Sequence, residues 1–356
     1  MATAPPHAWR VAVVMIVRNE AARIARALSS VLPHVDEALV LDTGSTDDTA
    51  ARAQAAGARV AHFQWVDDFS AARNAALDAA GADWHVVLDA DEWLAEGAAA
   101  LAALRHTAPA FVGAVRVDSL DDSGAASQQA SSWISRILPG PVRYAGRVHE
   151  QPQHQWPVRR LDIALGHDGY LKDALAAKAG RNRQLLEREV AEHPADPYAW
   201  YQLGKDHDVY ARYPQALDCF ERAEALLPSG GPAPGWLHDL TVRRLHALKC
   251  TGRHADALVR AEAGLAQWSE SPDFFFALGD VLLDWAADEP ARAEALLPMI
   301  ESAWQRCLAI GERPDLEGAV AGRGSHLAAH NLALLYDSLG RAEDAAECRR
   351  LAGKPE

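Results

Sequence analysis

The sequence predicts an α/β plus all-α protein, and three observations carry that class. Between residue 11 and about residue 91, short apolar runs alternate with segments of helical period, the pattern of strands joined by crossover helices. After about residue 171, Ala, Leu and charged residues dominate and strand signals disappear. Within that second half a residue spacing recurs, which is the mark of stacked helical units. The expected domains are therefore 1–170 and 171–356.

The first strand is 11–17, an unbroken apolar run of the kind buried on both faces. A helix follows over 20–32, started near Asn19 and stopped by Pro33. Residues 38–41 form the second strand, and a helix over 46–56 is capped by Ser45 and ended by Gly57. Asp47 and Asp48 then sit in its first turn, where the macrodipole favours them. Residues 59–63 are a candidate strand and 84–88 a buried one. This alternation predicts a parallel sheet with right-handed crossovers. Further strands fall at 111–118, 132–138 and 162–167, and 118–131, rich in Ser, Asp, Gln and Gly, reads as a mobile loop.

In the second half, Trp200-x2-Leu203-Gly204 followed by Ala216, Phe220 and Pro228 has the spacing of a tetratricopeptide unit. The step from Gly204 to Ala216 recurs from Gly279 to Ala291 and from Ala333 to Ala345. Such pairs stack into a superhelix whose concave face binds peptides or partner proteins. Buttressing the first domain, or a homodimer contact, is the structural alternative for the same array.

Composition sets outer limits. With 356 residues and 49% hydrophobic content there is material for two cores. A net charge of -14 excludes sequence-independent nucleic-acid binding and polybasic attachment to lipid, both of which need an excess of Lys and Arg. The four cysteines are scattered without C-x-x-C spacing, so reduced, mostly buried thiols are expected rather than zinc or disulfides. The run 11–17 is too short to span a membrane, and a cytoplasmic protein is expected.

In an open parallel sheet, ligands sit outside the carboxyl ends of the strands. Three strand ends here carry Arg18-Asn19-Glu20, Asp42-Thr43-Gly44-Ser45 and Asp89-Ala90-Asp91. The first two offer carboxylate and amide contacts to a base and ribose. The third offers hard oxygen ligands for Mn²⁺ or Mg²⁺ bridging two phosphates. None has the glycine-rich cradle of a P-loop or of G-x-G-x-x-G.

Four ordered motifs, Val13-Val14-Met15-Ile16-Val17-Arg18-Asn19-Glu20, Leu41-Asp42-Thr43-Gly44-Ser45-Thr46-Asp47-Asp48-Thr49, Asp68-Phe69-Ser70-Ala71-Ala72-Arg73-Asn74 and Leu88-Asp89-Ala90-Asp91-Glu92-Trp93, make the chain resemble a family 2 glycosyltransferase. The added helical region resembles the peptide S- and O-glycosyltransferases that modify glycocins. That resemblance implies a Rossmann-like GT-A nucleotide-sugar domain followed by a tetratricopeptide-like domain. It implies Arg18, Asn19, Glu20 and Asp42 at a uridine-type nucleoside, Arg73 near the diphosphate or sugar, and Asp89 and Ala90 at ribose or sugar. Asp91 would hold the metal. Arg73 has a second reading as a structural ion pair.

Glu150, after the apolar-aromatic segment 142–148, stands where an inverting transferase would place the base that takes the acceptor's proton. Its alternative is a salt bridge or turn contact. His149-Glu150 does not open a zincin motif, because Gln153 replaces the second histidine and Pro152 breaks the helix. His167 ends the last strand and is the candidate to complete a metal shell with Asp91. The expected activity is inverting, metal-dependent transfer from a UDP-sugar to Cys, Ser or Thr of a peptide or protein acceptor. A cell-envelope glycan or lipopolysaccharide precursor is the second acceptor class, and a non-catalytic tetratricopeptide scaffold the alternative of another kind.

Overall fold

A computed structural model of the chain describes residues 8–119, 130–168, 172–228, 230 and 233–353. It divides into two compact units, Met1–Glu189 and Val190–Glu356. The division falls inside a long helix, Lys172–Glu192, because that helix is tied to the first unit near its end. Arg188 pairs with Asp67 at 2.8 Å and Glu189 accepts the Arg147 N–H at 3.1 Å.

In the first unit, β1 (Val11–Val17) lies between β2 (Glu37–Asp42) and β4 (Trp84–Val87), parallel to both, and β3 (Arg59–His62) continues beyond β2. Alternate β1 residues serve opposite faces. Val11, Val13, Met15 and Val17 pack with α1 (Ile24–Val31), whose Ile24, Ala27, Leu28 and Val31 form one apolar stripe. Ala12 and Val14 pack with α3 (Phe69–Ala80) on the other face. Asp68 caps α3 by accepting the Ala71 N–H at 2.9 Å, and Gly81 at φ 57° ends it.

β1 to β4 pair in parallel, as the alternation over residues 11–91 implies, and the strands that follow make the whole sheet mixed. The further strands are β5 (Glu92–Glu96), β6 (Val112–Ser119), β7 (Ala130–Pro139) and β10 (Val158–His167), with β8 (Arg143–Ala145) and β9 (Gln151–Gln153) forming a separate hairpin. The order is β3-β2-β1-β4-β7-β6-β10-β5. β7 runs antiparallel to both β4 and β6, and β5 runs antiparallel to β10. Only residues 88–91 separate β4 from β5, far too few for the crossover that would make them parallel neighbours. β5 therefore leaves β4 and closes the far edge. Of the expected loop 118–131, Asp118, Ser119, Ala130 and Ser131 belong to strands, and 120–129 lie outside the described residues.

Two helix starts also differ from expectation. The first helix begins at Ile24 rather than near Asn19, because Asn19 adopts φ 58°, a left-handed conformation no helix contains. The second, α2 (Thr49–Ala55), begins past Ser45, whose hydroxyl accepts the Asn19 N–H at 3.0 Å instead of capping. The loops after β1 and β2 thus tie to each other. Asn19 Oδ1 accepts the Thr46 N–H at 2.8 Å, Thr49 Oγ1 accepts the Glu20 N–H at 2.7 Å, and Asp47 accepts the Ala21 N–H at 3.2 Å.

The second unit is helical throughout its described elements. α6 (Pro197–Val209) and α7 (Tyr213–Ala225), α8 (Leu237–Cys250) and α9 (His254–Gly264), α10 (Pro272–Asp288) and α11 (Ala293–Ile310), and α12 (His326–Ser338) and α13 (Ala342–Ala352) follow in pairs, after α4 (Ala98–Ala103) and α5 (Lys172–Glu192) of the earlier chain. In the first repeat step, Gly204 of α6 lies against Phe220 of α7, leaving no room for a side chain, and Ala216 is fully buried. The third step behaves alike, with Ala333 and Ala345 buried in paired helices. The second is only half kept. Gly279 packs on Trp304, but Ala291 is exposed in a short 3₁₀ turn because α10 runs on to Asp288.

Candidate active site

β4 ends at Val87, and the acidic turn that follows is folded on itself. The Glu92 N–H donates to the Asp89 carbonyl at 3.0 Å, and Glu92 Oε2 accepts the Asp89 N–H at 2.9 Å. Two guanidinium groups meet the Asp89 carboxylate. Arg136 of β7 places Nη2 at 2.8 Å from Asp89 Oδ2 and 2.6 Å from Glu92 Oε1. Arg73 of α3 places Nη2 at 3.4 Å from Asp89 Oδ1 and Nε at 2.7 Å from Glu150 Oε1. Glu150 sits in the turn between β8 and β9, next to His149 at φ 53°. Asn74 fixes that hairpin by donating to the Tyr144 carbonyl at 2.9 Å and accepting the Tyr144 N–H at 2.8 Å. Arg73 in turn lies 5.3 Å over the Tyr144 ring.

The charges in this cluster shape one another. Burial works against the Asp89 carboxylate, but Arg136 and Arg73 outweigh it and hold its pKa well below the usual range. Burial pushes Glu92 upward, with Arg136 opposing and Asp89 adding to the rise. Burial likewise opposes the charge on Arg73, and Glu150 and Asp89 restore it. Arg73 Nη1 and Arg136 Nε are buried and have no hydrogen-bond partner among the described residues. Two buried donors without acceptors cost free energy until an oxygen-rich ligand supplies them.

Asp91 leads to the far edge of the sheet. Its carbonyl accepts the Asp168 N–H at 3.2 Å, and its Oδ2 lies 3.6 Å from His167 Nε2. The β5–β10 pairing sets this, with His167 opposite Glu92 in register. Trp93 passes so close to Gly166 that any Cβ there would strike its ring. Arg26 of α1 stacks 4.1 Å from the same ring and pairs with Asp168 at 2.6 Å. Among the described residues, no three His, Cys, Asp or Glu side chains form a group that could hold a metal ion; Asp91 and His167 form a pair.

The other expected residues are placed as follows. Asp42, at the end of β2, accepts the Gly44 and Ser45 N–H groups at 3.1 and 2.8 Å through Oδ1, and its Oδ2 lies 3.7 Å from His62 Nδ1. One oxygen therefore builds its own loop. Arg18 is exposed after β1, Asn19 has its amide oxygen on Thr46, and Glu20 lies 3.4 Å from Arg23. Ala90 packs its methyl into the core, so only its backbone could meet a ligand. The structure joins Arg73, Asp89 and Glu150 in one network and Asp91 with His167 in a second. Arg136 escaped the sequence reading. Its signal was a lone charge in the strand Trp133-Ile134-Ser135-Arg136-Ile137-Leu138, since buried strands rarely carry an unpaired arginine.

Residues 12–161 match the family described as glycosyl transferase family 2. The chain carries a family 2 glycosyltransferase domain. Over 210 residues, 55% of this chain and 51% of the relative, the chain is 39% identical to a TPR repeat-containing protein of Synechococcus elongatus. Over 218 residues, 59% of this chain and 52% of the relative, it is 26% identical to the SPbeta prophage-derived glycosyltransferase SunS of Bacillus subtilis. Over 211 residues, 57% of this chain and 56% of the relative, it is 30% identical to the succinoglycan biosynthesis protein ExoU of Rhizobium meliloti. The chain spans about half the length of the curated relatives it matches. In the glycosyltransferase domain, the family match covers Asp42, Arg73, Asp89, Asp91, Arg136 and Glu150 and stops before His167.

Proposed function

We propose that the chain is an inverting, metal-dependent glycosyltransferase that moves a sugar from a UDP-linked donor to Cys, Ser or Thr of a peptide or protein. The observation that carries this is the Asp89 carboxylate held between Arg73 and Arg136, two arginines that each keep a buried N–H with no partner among the described residues, within the segment that matches the family 2 model. Those donors suit the oxygens of a diphosphate or sugar. Asp91 and His167 suit Mn²⁺ or Mg²⁺, since an oxygen and an imidazole leave the remaining positions to phosphate and water. Such an ion, when bound, would neutralise charge on the departing diphosphate.

The acceptor's proton is assigned to Glu150 Oε2, because Oε1 is held by Arg73 at 2.7 Å and the side chain is thereby oriented. Arg73 serves both ends, steadying the base and approaching Asp89. The helical second unit and the resemblance to glycocin-modifying enzymes favour a peptide acceptor. The likeness to ExoU, named for succinoglycan biosynthesis, supports a second reading in which the acceptor is a glycan.

Asp91→Ala tests the assignment in the full chain. Donor hydrolysis and transfer should both fall on the order of 100-fold, with the Mn²⁺ dependence weakened. Full activity with an unchanged Mn²⁺ titration would falsify the metal role. A chain that shows no thermal shift with any UDP- or GDP-sugar plus Mn²⁺ would instead be a scaffold.

A further inference from the structure

The second unit holds a nucleophile cluster that sugar transfer does not use. Asp208 near the end of α6, Tyr213 at the start of α7, and His246 and Cys250 in the last turns of α8 come together from three helices. His246 Nδ1 lies 3.3 Å from Asp208 Oδ1, and His246 Nε2 lies 3.5 Å from Cys250 Sγ. A carboxylate only accepts, so Nδ1 carries the hydrogen and Nε2 faces the thiol as a base. Asp208 is itself fixed, since Arg243 Nη1 holds its Oδ2 at 2.8 Å. The Tyr213 ring stands edge-on to His246, 5.5 Å away at 80°. Its hydroxyl hydrogen-bonds Cys250, which holds the phenol above its ordinary range.

The other three cysteines are of a different kind. Cys219, Cys307 and Cys348 are buried, and Cys307 spends its thiol on the Pro272 carbonyl at 3.2 Å. Burial pushes Cys219 and Cys307 up to about 12 and shifts Cys348 in the same direction. Cys250 is exposed. Its neighbours His246 and Asp208 line a cavity of about 220 Å³ with Lys249, Phe276, Asp280 and Arg323, while Cys250 itself lies outside that lining. Two cluster members thus form part of the cavity wall, and the exposure of Cys250 leaves its sulfur open to solvent.

We propose that Cys250 is a covalent modification site, an exposed thiol activated by His246 and Asp208 that captures the disulfide of a small thiol compound. As Sγ attacks one sulfur of the disulfide, His246 Nε2 takes the thiol proton. A new S–S bond forms to Cys250, the old one breaks, and its electron pair leaves on the second sulfur. That thiolate receives the proton from His246. Cys250 is oxidised and the departing half of the disulfide is reduced, so no other oxidant is required.

The test uses the full chain and oxidised glutathione, with mass-spectrometric mapping of the adduct. One mixed disulfide at Cys250 is expected, with Cys219, Cys307 and Cys348 untouched in the folded protein. The thiolate is the nucleophile, so a base that takes the thiol proton speeds alkylation. His246→Gln should therefore slow iodoacetamide labelling of Cys250 about tenfold, whereas Lys249→Gln should leave it within about twofold. Should His246→Gln unfold the unit, Asp208→Asn is read in its place, with slowing expected in the same direction. Equal labelling rates in wild type and the folded relay variant, or equal slowing by Lys249→Gln, would reduce Cys250 to a merely exposed thiol and overturn the proposal.

Discussion

Arg136 joins the two carboxylates that shape the acidic turn, reaching Asp89 at 2.8 Å and Glu92 at 2.6 Å with one nitrogen. Arg136→Met should leave two acidic groups facing each other in a buried site. The first unit should lose on the order of 3 kcal/mol, measured by urea unfolding, with nucleotide-sugar affinity reduced as well. His85 acts through its protonation. It is buried in β4, and its Nε2 accepts the Ala82 N–H at 3.3 Å. Burial, with Arg143 adding, lowers its pKa from 6.5 to about 4. Below 6.5 the unfolded chain takes up a proton that the folded chain refuses, so stability falls as pH drops from about 6.5 toward about 4. It levels off below that. The loss is about 3 kcal/mol, and His85→Gln should flatten this part of the pH–stability curve.

Strands such as β1 and β4 were legible because an apolar run long enough to cross a core has few other uses. β5 was not, since Glu92-Trp93-Leu94-Ala95-Glu96 has an apolar run of only three residues between acidic ones and its partner β10 begins beyond residue 157. Asn19 failed as a helix start for a related reason, because what holds it is Ser45 and Thr46 of another loop. The acidic turn and Arg73 were readable from motif order, and Glu150 from its place after an apolar-aromatic segment. Arg136 was hidden because it meets Asp89 through an antiparallel β4–β7 pairing that no local pattern encodes. In the helical unit the repeat carries a concrete prediction. A Cβ on Gly204 would lie 2.5 Å from the Phe220 ring, so Gly204→Ala should overpack the α6–α7 contact and cost about 1–3 kcal/mol, despite alanine's better helix propensity. A rise in the melting temperature would contradict the packing account.

Across the whole chain, each of the two compact units has its own hydrophobic clusters. Within the proposal, a chain ending at Glu189 should keep donor hydrolysis and lose transfer to a peptide acceptor, once circular dichroism shows that it folds. Undiminished transfer would place acceptor binding in the first unit. No helix among the described residues is long and apolar enough to cross a membrane. The pairing of His167 with Asp91 has a further consequence, one of birth order. Asp91 follows the fourth strand, but His167 closes the last, and β10 supplies the edge on which β5 lies. On the proposed assignment, a ribosome that has delivered the first four strands and the turn after them has made Asp91 but not His167, its partner at 3.6 Å. If Asp91 and His167 hold the metal as proposed, the ion cannot be captured before residue 167 has emerged, so its binding would follow the making of the sheet rather than seed it.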